Sequence, residues 1–229
     1  MKRFYKLVTV SEEDGKFSVL LDGKKIKTPE KRPCLMPTRE MAEAVSTEWN
    51  DQKDEVKPWS MPITKLMNTA IDRVGSRRDT LIDELVGFAG SDQICYRADQ
   101  PEALMTLQNK SWNPLLQWMK DTHGVALEQT TGIVFVEQDA EALLKIRALI
   151  ENIESFALTA FYGMVTVTGS VTIGLGVFQG HLTIEQAWEA GHLDENFQIS
   201  QWGSDYEAED RREGLKSELK NAAIFLTFC

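Results

Sequence analysis

Four carboxylates fall close together near the end of this 229-residue chain: Asp205, Glu207, Glu209 and Asp210. Neighbouring carboxylates can serve as general acid and base, and they can equally meet basic groups on a partner protein. Gly203 permits a sharp turn after Trp202, and Ser204 or Asp205 can cap the helix that follows. Glu207 and Asp210 then share a face, and Arg211 stands four residues from Glu207, within pairing reach. An acidic first turn also offsets the positive end of a helix dipole, but these acids exceed what that needs. Trp202, Asp205, Glu207, Asp210 and Arg211 therefore form the candidate binding surface. An enzyme using the carboxylates near Asp205 is the alternative.

Other catalytic patterns are missing. His123, His181 and His192 stand in neither H-x-x-x-H nor H-E-x-x-H spacing, and each reads as a surface or helix-end histidine. Cys34, Cys95 and Cys229 are far apart, odd in number and without a C-x-x-C pair, which points to reduced thiols rather than a metal or redox site. Gly174, Gly176 and Gly180 have the wrong spacing for a dinucleotide loop, and there is neither a P-loop nor a G-x-S-x-G elbow. No metal or organic cofactor is expected. With 25 basic residues against 35 acids the net charge is −10, which repels phosphate backbones and anionic lipid, so no nucleic-acid partner is expected either. Six tryptophans sit in polar contexts. Such side chains anchor interfaces, and with an acidic rim and no catalytic pattern they favour an interaction protein.

The elements that must position these residues change character along the chain. Phe4–Val10 and Phe17–Leu21 read as strands around the Glu12-to-Gly15 turn, and Asp22-Gly23 is a strong hairpin signal. Lys25–Lys27 and Arg32–Met36 read as further strands. Thr38 can cap a helix through Trp49. Pro58 and Pro62 then interrupt the chain. Helices are expected over Thr64–Val74, from Ser76, from Pro101 with a break at Asn113-Pro114, from Asp139 to Ile153, from Thr183, and over Tyr206–Phe228. A strand is expected over Gly132–Val136. The fold class is α+β, a small N-terminal antiparallel β domain followed by a larger, mostly helical C-terminal domain. The expected division is a β-rich domain with a helix near its end over 1–60, and a helical domain over 61–229. The run from Phe156 to Phe178 lacks formal charge, yet its threonines, glycines and central Thr168-Gly169-Ser170 turn predict a buried helical hairpin and no stable membrane insertion. The N-terminus resembles neither a signal nor a transit peptide.

An ordered series of motifs runs nearly the length of the chain. It opens with Arg3-Phe4-Tyr5-Lys6, Leu21-Asp22-Gly23-Lys24 and Ile26-Lys27-Thr28-Pro29. Glu48-Trp49 with Gln52, Met61-Pro62 and Thr69-Ala70-Ile71-Asp72 follow. Asp92, Cys95-Tyr96-Arg97-Ala98 and Trp112-Asn113-Pro114-Leu115-Leu116 come next. Leu193-Asp194-Glu195, Phe197-Gln198, Trp202-Gly203, Asp205-Tyr206-Glu207-Ala208 and Arg211-Arg212 close it. Together they resemble the ATP synthase F(1) assembly chaperones dedicated to the alpha subunit. The resemblance implies a non-enzymatic protein whose partner is the unassembled alpha subunit, shielded on its beta-facing surface until the beta subunit replaces the chaperone. Such proteins occur in bacteria and in the mitochondrial matrix, and the N-terminus favours the bacterial cytoplasm unless a presequence is missing. Asn113 departs from the family, which usually has Asp there.

Overall fold

A computed structural model describes residues 1–229. Its first elements are β1 (Val8–Glu13) and β2 (Lys16–Leu21), paired antiparallel with Val10 opposite Val19. Asp14 and Gly15 turn between them at φ 51° and 70°, and Asp22-Gly23 (φ 48° and 80°) leads into β3 (Lys24–Lys25). Positive φ at both central residues is what a tight hairpin with right-twisted strands requires. The strand expected over Phe4–Val10 begins only at Val8. Residues before it are held otherwise: Arg3 N–H donates to Asp54 O at 2.9 Å, and the Leu7 N–H donates to the Asp22 carboxylate at 2.8 Å. Arg32–Met36 is not a continuous strand: Pro33 and Met36 make isolated antiparallel bridges, to Lys27 and Phe17.

Thr38 caps α1 (Arg39–Asn50), its hydroxyl accepting from Met41 N–H at 3.3 Å. The same hydroxyl donates to Phe228 O at 2.6 Å. Met41, Ala42 and Val45 turn one buried face of α1 onto β1 and β2. α2 (Pro62–Thr69) passes through a π turn at 70–74 into α3 (Gly75–Gly90). A new helix does start beside Ser76, after a break at Arg77 (φ −131°), but the Ser76 side chain does not cap it. Its hydroxyl instead bonds back to Asp72 O at 3.1 Å.

The chain divides into two compact units, one of residues 1–78, 154–160 and 224–229 and one of residues 79–153 and 161–223. In the second, β4 (Tyr96–Arg97) pairs in parallel with β5 (Thr130–Thr131). The strand expected over Gly132–Val136 is absent, since β5 ends at Thr131. α4 (Glu102–His123) runs unbroken through Pro114, contrary to the expected break. Buried Trp112, Leu115, Leu116 and Met119 secure both sides of the proline, and the Trp112 indole N–H donates to Ala190 O at 2.8 Å. That packing outweighs the one backbone bond a mid-helix proline removes. Gly124 stops α4 at φ 65°.

Asp139 caps α5 (Ala140–Glu151). The neutral run forms α6 (Ser155–Thr168) and α7 (Val171–Phe178), divided where expected: Gly169 takes φ 64°, and the Ser170 hydroxyl accepts from Ile173 N–H at 3.0 Å. A Cβ on Gly174 would lie 2.7 Å from Val165 Cγ2, so glycine there permits the close helix approach. No helix is long and apolar enough to cross a membrane. Thr183 and Gln186 form a reciprocal capping box at the start of α8 (Ile184–Gly191). α9 (Leu193–Trp202), which the sequence pattern did not announce, precedes α10 (Tyr206–Leu226). The architecture is α+β, with its antiparallel sheet at the N-terminus and helices thereafter.

Candidate functional site

The turn from α9 to α10 presents the acidic segment. Gly203 ends α9 at φ 77°, its N–H donating to Ile199 O at 2.8 Å. Asp205 then caps α10, its Oδ1 accepting from Ala208 N–H at 2.8 Å. The Ser204 hydroxyl donates to the Glu209 carboxylate. Two of the four acids thus have local structural work. Glu207 and Asp210 are exposed and take part in neither an ion pair nor a side-chain hydrogen bond. Arg211 does not reach Glu207 and also points to solvent. Beside them Trp202 is 79% and Tyr206 82% exposed. Aromatic rings of that size left in water are costly unless something covers them.

The anchoring cation is Arg212. It bonds to the Glu195 carboxylate and to Asn196 Oδ1 at 2.5 Å, and its guanidinium lies 5.4 Å from the Trp188 ring centre. The His192 ring stacks on the Trp188 indole with ring centres 3.7 Å apart, and its Nδ1 lies 3.2 Å from Trp188 O. His192 stands at a helix end, between α8 and α9, but buried rather than at the surface, and burial depresses its pKa. The three elements α8, α9 and α10 are therefore fastened together around Trp188, which fixes the exposed turn above it. The sequence placed Arg211 and Arg212 together, and nothing local distinguished the one that anchors from the one that is free.

The five residues singled out from the sequence, Trp202, Asp205, Glu207, Asp210 and Arg211, all lie exposed along this turn. No group of three or more His, Cys, Asp or Glu side chains is arranged to hold a metal ion. In the other unit, a cleft of about 850 Å³ is lined by Met1, Trp49, Val56, Trp59 and Met61. Two of the six tryptophans in polar contexts, Trp49 and Trp59, line it.

A model of the ATP12 chaperone protein family matches residues 2–120. The crystal structure of Atp12 from Paracoccus denitrificans superposes with a TM-score of 0.95 at 35% identity, over 99% of this chain and 97% of that one. A crystal structure from Agrobacterium tumefaciens does so with a TM-score of 0.94 at 37% identity, over 99% of this chain and 85% of that one. The protein named atp12, mitochondrial, of Schizosaccharomyces pombe is 27% identical over 237 residues, covering 97% of this chain and 81% of that protein. The chain belongs to the ATP12 chaperone family, a family of ATP synthase F(1) assembly chaperones and not of enzymes.

Proposed function

We propose that this chaperone holds the unassembled alpha subunit of the F(1) sector, shields its beta-facing surface, and releases it when the catalytic head assembles. The observation that carries the reading is the α9–α10 turn, where exposed Trp202 and Tyr206 stand beside the unpaired acids Glu207 and Asp210. An unassembled subunit exposes apolar interface that aggregates if left open. Rigid aromatic anchors cover such surface at low entropic cost, and free carboxylates select a basic neighbourhood on the client and reject acidic ones. With no P-loop in the sequence, release proceeds by competition: the beta subunit, burying a larger matched interface, displaces the chaperone. The bacterial relatives support a cytoplasmic setting, and the fission-yeast relative, named mitochondrial, supports the matrix as the alternative.

The test is capture of purified alpha subunit by Glu207→Lys and Asp210→Lys, with thermal melts alongside. Each variant keeps its melting temperature within a few degrees, because exposed charges contribute little to stability, and captures at least tenfold less alpha subunit. Undiminished capture by both folded variants excludes this surface.

A further inference from the structure

Ile133, Val134 and Phe135 are 100%, 67% and 68% exposed, three consecutive large apolar side chains in open solvent. They follow β5, at the tip of a loop whose base is deliberately closed. The buried Gln138 side chain accepts from Glu128 N–H at 2.8 Å and donates to Glu128 O at 2.9 Å, so one amide ties the two ends of the loop as a backbone pair would. Farther up, Gly132 N–H donates to Arg97 O at 2.8 Å at φ 76°. Beyond that point the backbone of Ile133–Val136 makes no main-chain hydrogen bond. A segment that only connected β5 to α5 would turn its apolar side chains inward or carry polar ones. This one is clasped at its base and displays them.

We propose that the Ile133–Phe135 tip is a second client-contact element, an apolar knob that seats in a groove with a basic rim on the unassembled alpha subunit. It rests on the client reading above. The choice of occupant follows from charge. Glu128 and Glu137 flank the tip in sequence, Asp139 caps α5 and Glu141 pairs with Lys145 at 2.8 Å, and the whole chain carries −10. A second copy of the chain would bring like charges against these acids, and an anionic membrane would repel them. A client groove with basic residues at its edge satisfies the apolar tip and the acidic flanks at once.

The test replaces the tip as Ile133→Ser/Val134→Ser/Phe135→Ser, and separately as Phe135→Asp, in the full chain. Three measurements follow: affinity for purified alpha subunit, sedimentation of the chaperone alone, and flotation with phosphatidylcholine–phosphatidylglycerol vesicles. Both variants keep the wild-type melting temperature and bind alpha subunit ten- to a hundredfold more weakly, while the wild type sediments as a monomer and does not float. A photo-crosslinker at position 135 links to the alpha subunit. Unchanged affinity in both variants overturns the knob and leaves the client reading standing. A tip-dependent dimer or tip-dependent flotation overturns the choice of occupant. Failure of the wild type to bind alpha subunit overturns both proposals.

Discussion

Arg97 donates through Nη2 to Asn113 Oδ1 at 2.9 Å, so a buried guanidinium faces a neutral amide. The remaining Nε and Nη1 donors of Arg97 have no partner, and its Cζ lies 5.0 Å from the Trp112 ring centre. Asn113 itself is exposed, so a carboxylate there would keep much of its hydration. Asn113→Asp therefore converts a neutral acceptor into a charge-assisted one and raises unfolding free energy by about 1–2 kcal/mol at neutral pH. An aspartate paired with Arg97 titrates lower in the fold than unfolded, so the gain is present above the ordinary carboxylate range and disappears as pH falls through the folded value. Urea denaturation of both proteins at pH 7 and in acid measures this, and equal stability at pH 7 contradicts it.

Glu48 reaches from α1 to the first turn of α2, accepting from Ile63 N–H, Thr64 N–H and the Thr64 hydroxyl, each at 2.7 Å. Burial pushes this carboxyl up, and the donors oppose the rise. Glu48→Gln turns an amide NH2 toward one of those donors and leaves it unpaired. The expected loss is about 1–3 kcal/mol, read from chemical denaturation.

Gly191 and Gly163 give a matched pair. A Cβ on Gly191 would meet Thr168 Cβ at 3.0 Å and backbone atoms of Thr168 at 3.1 and 3.2 Å, whereas one on Gly163 would meet only Ala222 Cβ at 3.6 Å. Gly191→Ala is expected to destabilise by about 1–3 kcal/mol through overpacking. Gly163→Ala is neutral or stabilising, because alanine also favours the helix. Equal melting temperatures for the two variants would contradict the close approach of α8 to the end of α6.

His192 makes stability fall in mild acid. Burial lowers its pKa in the fold, with Arg212 adding to this, and the Trp188 carbonyl, Glu195 and Glu189 only partly oppose it. The unfolded histidine, near 6.5, thus binds its proton first as pH drops. Its contribution is complete above that value and is lost as pH falls through the folded one. His192→Gln should flatten the stability–pH curve below pH 6.5. An unchanged slope would locate the acid sensitivity elsewhere.

Local chemistry was legible in the sequence. Thr38, Asp139 and Thr183 with Gln186 cap helices as their residue types demand, and Gly124 and Gly169 turn the chain where a positive φ was needed. Features decided by distant partners were not. Nothing before Val8 says that Arg3 will dock on Gln52 and Asp54, and nothing near Pro114 says that burial of Trp112 will carry a helix through it. α9 was hidden because it buries no residue fully and so shows no strong apolar stripe. The motif residues behind the family resemblance are largely internal clasps: Thr28 donates to Asp72 at 2.6 Å, Glu48 holds Thr64, and Asp92 accepts from Thr172 N–H at 3.1 Å. They identify the fold more directly than they identify a binding surface, because their side chains are engaged inside the chain.

The central claim is tested most directly by mixing the purified chain with purified alpha subunit, following the mixture by size-exclusion chromatography with light scattering, and then adding beta subunit. The account predicts a soluble one-to-one complex that keeps alpha subunit from aggregating and that gives up its chaperone when beta subunit is added, without nucleotide hydrolysis. Absence of the complex, or a complex that beta subunit leaves intact, would contradict it.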